Sequence, residues 1–141
     1  MSEDKDITDV VDEHLPYDGP HSRDSVIDAA RMMAYSLRYL NNATQHTTTT
    51  LYWGNTVHAI LGSVNAALHG LDQLFDQLGT ALDQLAADPT LYDDRRQGHS
   101  GAETARDTAR MLAEAKHALK VPRARVEQAF SQSSHLGNED H

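Results

Sequence analysis

His69, Asp72 and Asp76 stand at i, i+3 and i+7, which sets one imidazole and two carboxylates on the same side of two helical turns. Nitrogen and oxygen donors in that pattern are the chemistry a divalent cation binds, and nine histidines with 21 carboxylates supply ample material. The other requirements are missing. No second segment offers complementary ligands, no HExxH occurs, and a di-metal bundle needs inward Glu and Glu-x-x-His groups from several helices. The pattern therefore predicts a solvated polar face shared with His58 and Asn65, its carboxylates pointing outward, and no metal ligand.

The other chemistries are poorly provided for. Cysteine is absent, which removes disulfides, thiolate metal sites and a cysteine nucleophile. There is no GxGxxG or GxxxxGK(S/T) phosphate cradle, and no strand-turn-helix elbow presents a serine. We expect no catalytic residue and no cofactor, hence a non-enzymatic protein.

Two groups of residues are candidates for binding. Tyr35 and Tyr39 are four apart on one predicted helix, with Met32 a turn earlier, and they lie off that helix's apolar stripe. Aromatic residues on an otherwise polar face mark a partner surface. The stretch HTTTTLYWGNT adds Tyr52 and Trp53, the only tryptophan, directly after four threonines. β-Branched residues in a row form helix poorly, and their hydroxyls compete for backbone hydrogen bonds. A corner with Leu51, Tyr52 and Trp53 folded over the bundle end as an apolar plug is the expectation, with Gly54-Asn55-Thr56 as turn and N-cap. An exposed Trp53 would make the same residues an interface anchor.

A second class of partner is nucleic acid. Lys116, Lys120, Arg123 and Arg125 gather within KHALKVPRARVEQ, and such cations can bind phosphates in a salt-dependent way. Glu103, Asp107, Glu114 and Glu127 are interleaved, however, and Arg106 and Arg110 fit ordinary i, i+3 and i+4 pairs. No helix-turn-helix spacing is evident. Nucleic-acid binding through 116–125 is the alternative, and docking of this basic segment along an acidic helix flank is the simpler use of it.

Net charge is −9, but it is unevenly placed. Residues 1–24 hold eight acids against two bases, while 25–138 hold eleven acids against ten bases. Acidic ends on a near-neutral body do not make a nucleic-acid footprint. They favour solubility. No apolar run approaches the roughly 18–20 residues that span a bilayer. The N-terminus lacks the apolar core of a secretory signal, so the expected location is cytoplasmic, with no membrane partner.

The elements that must position these residues are helical throughout. Residues 1–21, polar and with Pro16, Gly19 and Pro20, read as a mostly disordered acidic arm. Val26, Ala30, Met33, Leu37 and Leu40 then trace one helical face, begun by Ser22 or Asp24 as N-cap. The next segment carries the clearest pattern. Val57, Ile60, Val64, Ala67, Leu71, Leu74, Leu78, Ala81 and Leu85 alternate by three and four, and Leu61, Leu68, Phe75 and Leu82 repeat beside them every seven. These are heptad positions a, d and e. A stripe that wide suits a helix with two neighbours, where a coiled coil of two strands needs only a and d. Such a rod is roughly 45 Å long, and Asp88-Pro89 ends it.

After the polar loop TLYDDRRQGHSG, Ser100 and Glu103 form a predicted capping box. Ala102, Ala105, Ala109, Leu112, Leu119 and Val126 make the third stripe, interrupted by Lys116, and Pro122 must kink or split the helix. Residues 131–141 read as a flexible tail. No segment alternates with period two, so no sheet is expected.

SLRYLNNAT leading through LYWGNTVHAILGSVNAALHGLDQLFDQLGTAL resembles small, functionally uncharacterised helical proteins of actinomycetes associated with mobile elements, over about residues 25–86. That likeness implies an all-helical fold and carries no activity onto any residue. Trp53-Gly54 also resembles the Trp-x-Gly turn of the WXG100 class of small secreted helical hairpins, which implies export. Here the two residues are adjacent, and Arg96 follows Tyr92 where that class has an acid.

These readings combine into an all-α bundle of three long antiparallel helices, about 22–46, 55–87 and 101–130, forming one domain over 22–130. The function expected is that of an interaction or scaffold protein with an unknown protein partner. The alanine-rich third stripe buries little area per residue, which favours a homodimer.

Overall fold

The computed structural model describes residues 5–139, and every regular element among them is an α-helix. The helices are α1 (Ile7–His14), α2 (Arg23–Ala43), α3 (Thr47–Thr50), α4 (Gly54–Ala86), α5 (Gly101–Ala118) and α6 (Lys120–Ser133). None of them is long and apolar enough to cross a membrane. The chain divides into two units, one ending at Thr50 and one beginning at Leu51.

In the first unit, residues 7–14 depart from the expected disordered arm. Ile7, Val10 and Val11 fall on one side of α1, Thr8 donates its hydroxyl to Asp6 at 3.1 Å, and Lys5 pairs with Glu13 at 2.9 Å. The run is amphipathic, and the Lys5–Glu13 pair spans its two turns. α2 starts where Ser22 caps it: the Ser22 hydroxyl accepts from the Ser25 N–H at 3.0 Å, and the Ser22 N–H reaches the Ser25 hydroxyl at 2.9 Å. The box is closed by serine in the place usually held by glutamate.

The threonine run contains one helical turn, α3, where no helix was expected. Its physical role is at the end of α2. Carbonyls in the last turn of a helix lack intrahelical partners; the Thr50 hydroxyl donates to the Ala43 carbonyl at 2.8 Å, and Thr44 donates to Leu40 at 2.7 Å. The same hydroxyls that make threonine a poor helix former thus finish the preceding helix.

The second unit is a helical hairpin in which α5 and α6 run back along α4. Partner numbers fall as α4 numbers rise: His58 meets Phe130 and Ser133, Asp72 meets Arg123 and Lys116, and Phe75 and Gly79 share a cleft with Ala109 and Leu112. The three packed helices of this unit are therefore α4, α5 and α6. On α2, Val26, Met33 and Leu37 are 58%, 53% and 59% exposed, and the helix has no buried residue.

The third predicted helix is two. Pro122 occupies the first turn of α6, where its missing N–H costs little, and the Ala118 carbonyl that it cannot reach falls at the break. The connection from α4 is tightly built. Asp88 accepts from the Thr90 N–H and hydroxyl at 2.8 and 2.7 Å, which holds its carboxyl below the ordinary value. Arg96 takes a left-handed φ of 61° and lies over the Tyr92 ring at 4.0 Å. Ser100 caps α5 through the Glu103 N–H at 3.0 Å; the return bond from the Glu103 side chain does not form. Gly101 is required there, because a Cβ would sit 2.6 Å from the Leu91 backbone carbonyl.

Candidate functional site

The polar side of α4 is partly solvated and partly paired, with Asp76 more than half exposed and Asp72 one third exposed. Lys116 of α5 reaches Asp76 at 2.6 Å and Asp72 at 3.7 Å, and Arg123 of α6 reaches Asp72 at 3.1 Å. Asp72 thus bridges two helices. Heptad spacing explains the convergence: Lys116 and Arg123 are seven apart and fall on the stripe of α5 and α6 that packs, so the lysine that interrupts the apolar pattern completes the interface. Hydrogen bonding to Asp76, followed by the field of Asp72 and Asp76, raises the Lys116 pKa above its ordinary value. His69 approaches Glu127 at 3.9 Å. His69, Asp72 and Asp76 are therefore turned to partners on α5 and α6, and the outward orientation expected of the carboxylates is corrected. Among the described residues no group of three or more acidic or histidine side chains gathers around a common point.

This clasp uses half of the candidate phosphate-binding set. Lys116 and Arg123 are engaged with carboxylates, Arg125 reaches only the Gln128 side chain at 3.2 Å, and Lys120 is exposed.

Near the start of α4 the ring of His58 stacks on Phe130, centroids 4.6 Å apart and 7° between planes. Its Nδ1 lies 2.7 Å from the hydroxyl of Ser133, which itself donates to the Phe130 carbonyl at 2.8 Å. That assigns the proton to Nδ1, with Ser133 as acceptor. Gly62 makes room for the ring, since a Cβ there would meet Phe130 Cε2 at 2.9 Å.

Tyr52 and Trp53 do not plug the bundle end. Each is 51% exposed, and they form an edge-to-face pair with centroids 4.8 Å apart. The place expected for them is taken from the other end of the chain. Asn138 accepts from the Gly54 N–H at 2.8 Å and donates to the Tyr52 carbonyl at 3.3 Å, while Leu136 packs over Gly54. The residues after Ser133, read as a flexible tail, thus supply the N-cap that Trp53 cannot. No local pattern signals a cap delivered from 84 positions away.

Tyr35 and Tyr39 are 69% and 72% exposed on α2 and line a shallow cleft of about 440 Å³ with Arg38 and Asn42. They belong to the first unit, and Tyr52 and Trp53 to the second, so each pair stands as a separate candidate. The Trp53-Gly54 dipeptide stands at the start of α4, whereas the turn of the hairpin is formed by residues 87–100, which contain no tryptophan. No family model matches the chain, and neither a curated protein nor a solved structure matches it. The resemblances to mobile-element proteins and to the WXG100 class accordingly rest on the quoted residues alone.

Proposed function

We propose that this chain is a non-enzymatic helical interaction protein that works through protein–protein contacts. The observation that carries the reading is α2, a helix of 21 residues whose apolar and aromatic side chains are left in solvent. Most of a helix's stability in water comes from packing an amphipathic face, so a face of this kind calls for a partner. Tyr35 and Tyr39 are its natural anchors, because tyrosine combines large apolar area with a polar tip. Tyr52 and Trp53 form a second exposed aromatic pair. The polar clusters are spent on structure: the Asp72 and Asp76 carboxylates hold α5 and α6, and the His58 imidazole is stacked and hydrogen-bonded.

A nucleic-acid regulator acting through 116–125 is the weaker reading, because Lys116 and Arg123 already serve carboxylates. The test compares proteins recovered with the full chain and with Tyr35→Ala plus Tyr39→Ala by quantitative mass spectrometry. A partner lost from the variant supports the reading. Recovery of the same set with both chains removes α2 as the contact surface.

A further inference from the structure

We infer that α4 carries a second, self-complementary face through which two copies of this chain pair in antiparallel fashion. This inference rests on reading the chain as an interaction protein, but it concerns a face distinct from the α2 tyrosines. The sequence gives α4 apolar residues at heptad positions a, d and e, wide enough for two neighbours. Its residues that face α5 and α6 lie on one side, from Phe75 and Gly79 round to Asp72, His69 and Gly62. The a and d rows lie about a quarter turn away, and there Leu74, Leu78 and Leu85 are 39%, 44% and 45% exposed. The missing neighbour is the one that would cover them.

Three observations identify that neighbour as a second copy. First, the face carries no charge. The acids of α4 are Asp72, Asp76 and Asp83, all on the far side of the a and d rows, and α4 has no Lys or Arg. Like charges opposed across a two-fold interface are destabilising; here there are none to oppose. Nor is there anything for a strongly charged partner to recognise.

Second, the residues match themselves when one helix is reversed. An antiparallel register sets Val64 against Ala81 and Ala67 against Leu78, so that at these two layers a large residue meets a small one, and it sets Leu71 against Leu74 at the centre. A parallel pair would stack Ala67 on Ala67 and Ala81 on Ala81 and leave gaps. Reversal also opposes the two helix dipoles.

Third, the extent is sufficient. The exposed positions of the face, Ala67, Leu74, Leu78, Ala81 and Leu85, span about 27 Å, and with the part-buried Ile60, Val64 and Leu71 beside them two such faces bury on the order of 1,000 Å² in total, the threshold for a specific interface. The need is also present: among the described residues the buried apolar side chains are Ala86 and Ala105, and no large side chain is fully buried.

The experiment is light scattering on the full chain over a wide concentration range, beside the Leu74→Asp plus Leu78→Asp variant and the Tyr35→Ala plus Tyr39→Ala variant. The expected masses are twice the 15.6 kDa chain for the native protein and the tyrosine variant, and one chain for the aspartate variant. Because the protein has no cysteine, Ala67→Cys and Leu78→Cys chains add a test that does not depend on destabilising the helix. A disulfide is expected when the two are mixed and oxidised, and not when either is oxidised alone. A single-chain mass at every concentration overturns the inference and leaves the α2 reading standing. A dimer that survives Leu74→Asp plus Leu78→Asp overturns it too, because the copies then meet elsewhere. Disulfides within Ala67→Cys alone overturn the antiparallel register.

Discussion

Asp93 shows how a single side chain can hold a loop. It is buried, and its carboxylate accepts from Arg95 Nε at 2.9 Å, from the second guanidinium nitrogen, from the Arg95 N–H at 2.9 Å and from the Thr104 hydroxyl. These bonds, first those from the Arg95 and Thr104 side chains, hold its carboxyl far below the ordinary 3.8. The folded-state pKa is depressed, so the stabilisation is complete above the unfolded value and is lost as pH falls through the carboxylate range. Urea midpoints should therefore start to drop as pH falls below about 4 and go on dropping through pH 3 and below in the native chain, and Asp93→Asn should flatten that drop while lowering the midpoint at pH 7. Two glycines give a sharper contrast. Gly101→Ala forces a Cβ against the Leu91 backbone, which cannot move aside, and should cost about 1–3 kcal/mol by overpacking. Gly62→Ala meets only the Phe130 ring, and the helix propensity it gains, about 1 kcal/mol, offsets much of the strain. Chemical denaturation of the two variants should separate them. The sequence shows both as glycines in plausible places, one in a loop and one in a helix; which of them faces immovable backbone is decided by a contact distant along the chain.

Between elements, the legible features are those that repeat. Ser100 as a cap, the end of α4 at Asp88-Pro89 and the break before Pro122 all follow from local rules, and the structure agrees with each to within a residue or two. The polar seam of α4 is less legible, because residue type alone does not distinguish a fully solvated carboxylate from one that also faces Lys116 or Arg123. That clasp is open to test. Asp72 serves both cations and Asp76 only one, so Asp72→Asn should lower Tm more than Asp76→Asn, by a few degrees at low salt. The difference should shrink in 1 M salt, since these partly exposed pairs are screened. The cap at Asn138 lies on the same scale. Asn138→Ala removes the acceptor for the Gly54 N–H and should cost about 1 kcal/mol. Hydrogen exchange should locate the loss, with faster exchange in the first turn of α4 and none of it in α5.

For the whole molecule the governing fact is unspent apolar surface. A helix with no buried side chain opens readily, so amides of α2 should exchange well ahead of those in the middle of α4. α4 differs because one side of it is held by α5 and α6 while Leu74, Leu78 and Leu85 of its a and d rows are exposed. If a second copy covers them, folding and association are a single equilibrium, and stability must depend on concentration. A tenfold rise in protein shifts such an equilibrium by about 1.4 kcal/mol, which for a dimer of this size raises Tm by about 2 °C. Calorimetry at 5, 50 and 500 µM, concentrations chosen as roughly decade steps, should therefore show a regular upward drift for the native chain. In Leu74→Asp plus Leu78→Asp the drift should vanish, because the charges make the face as costly to bury as the leucines made it favourable. A native Tm that is flat across that range would mean that the hairpin closes its own core without a second copy, and that the exposed leucines contribute nothing to its stability.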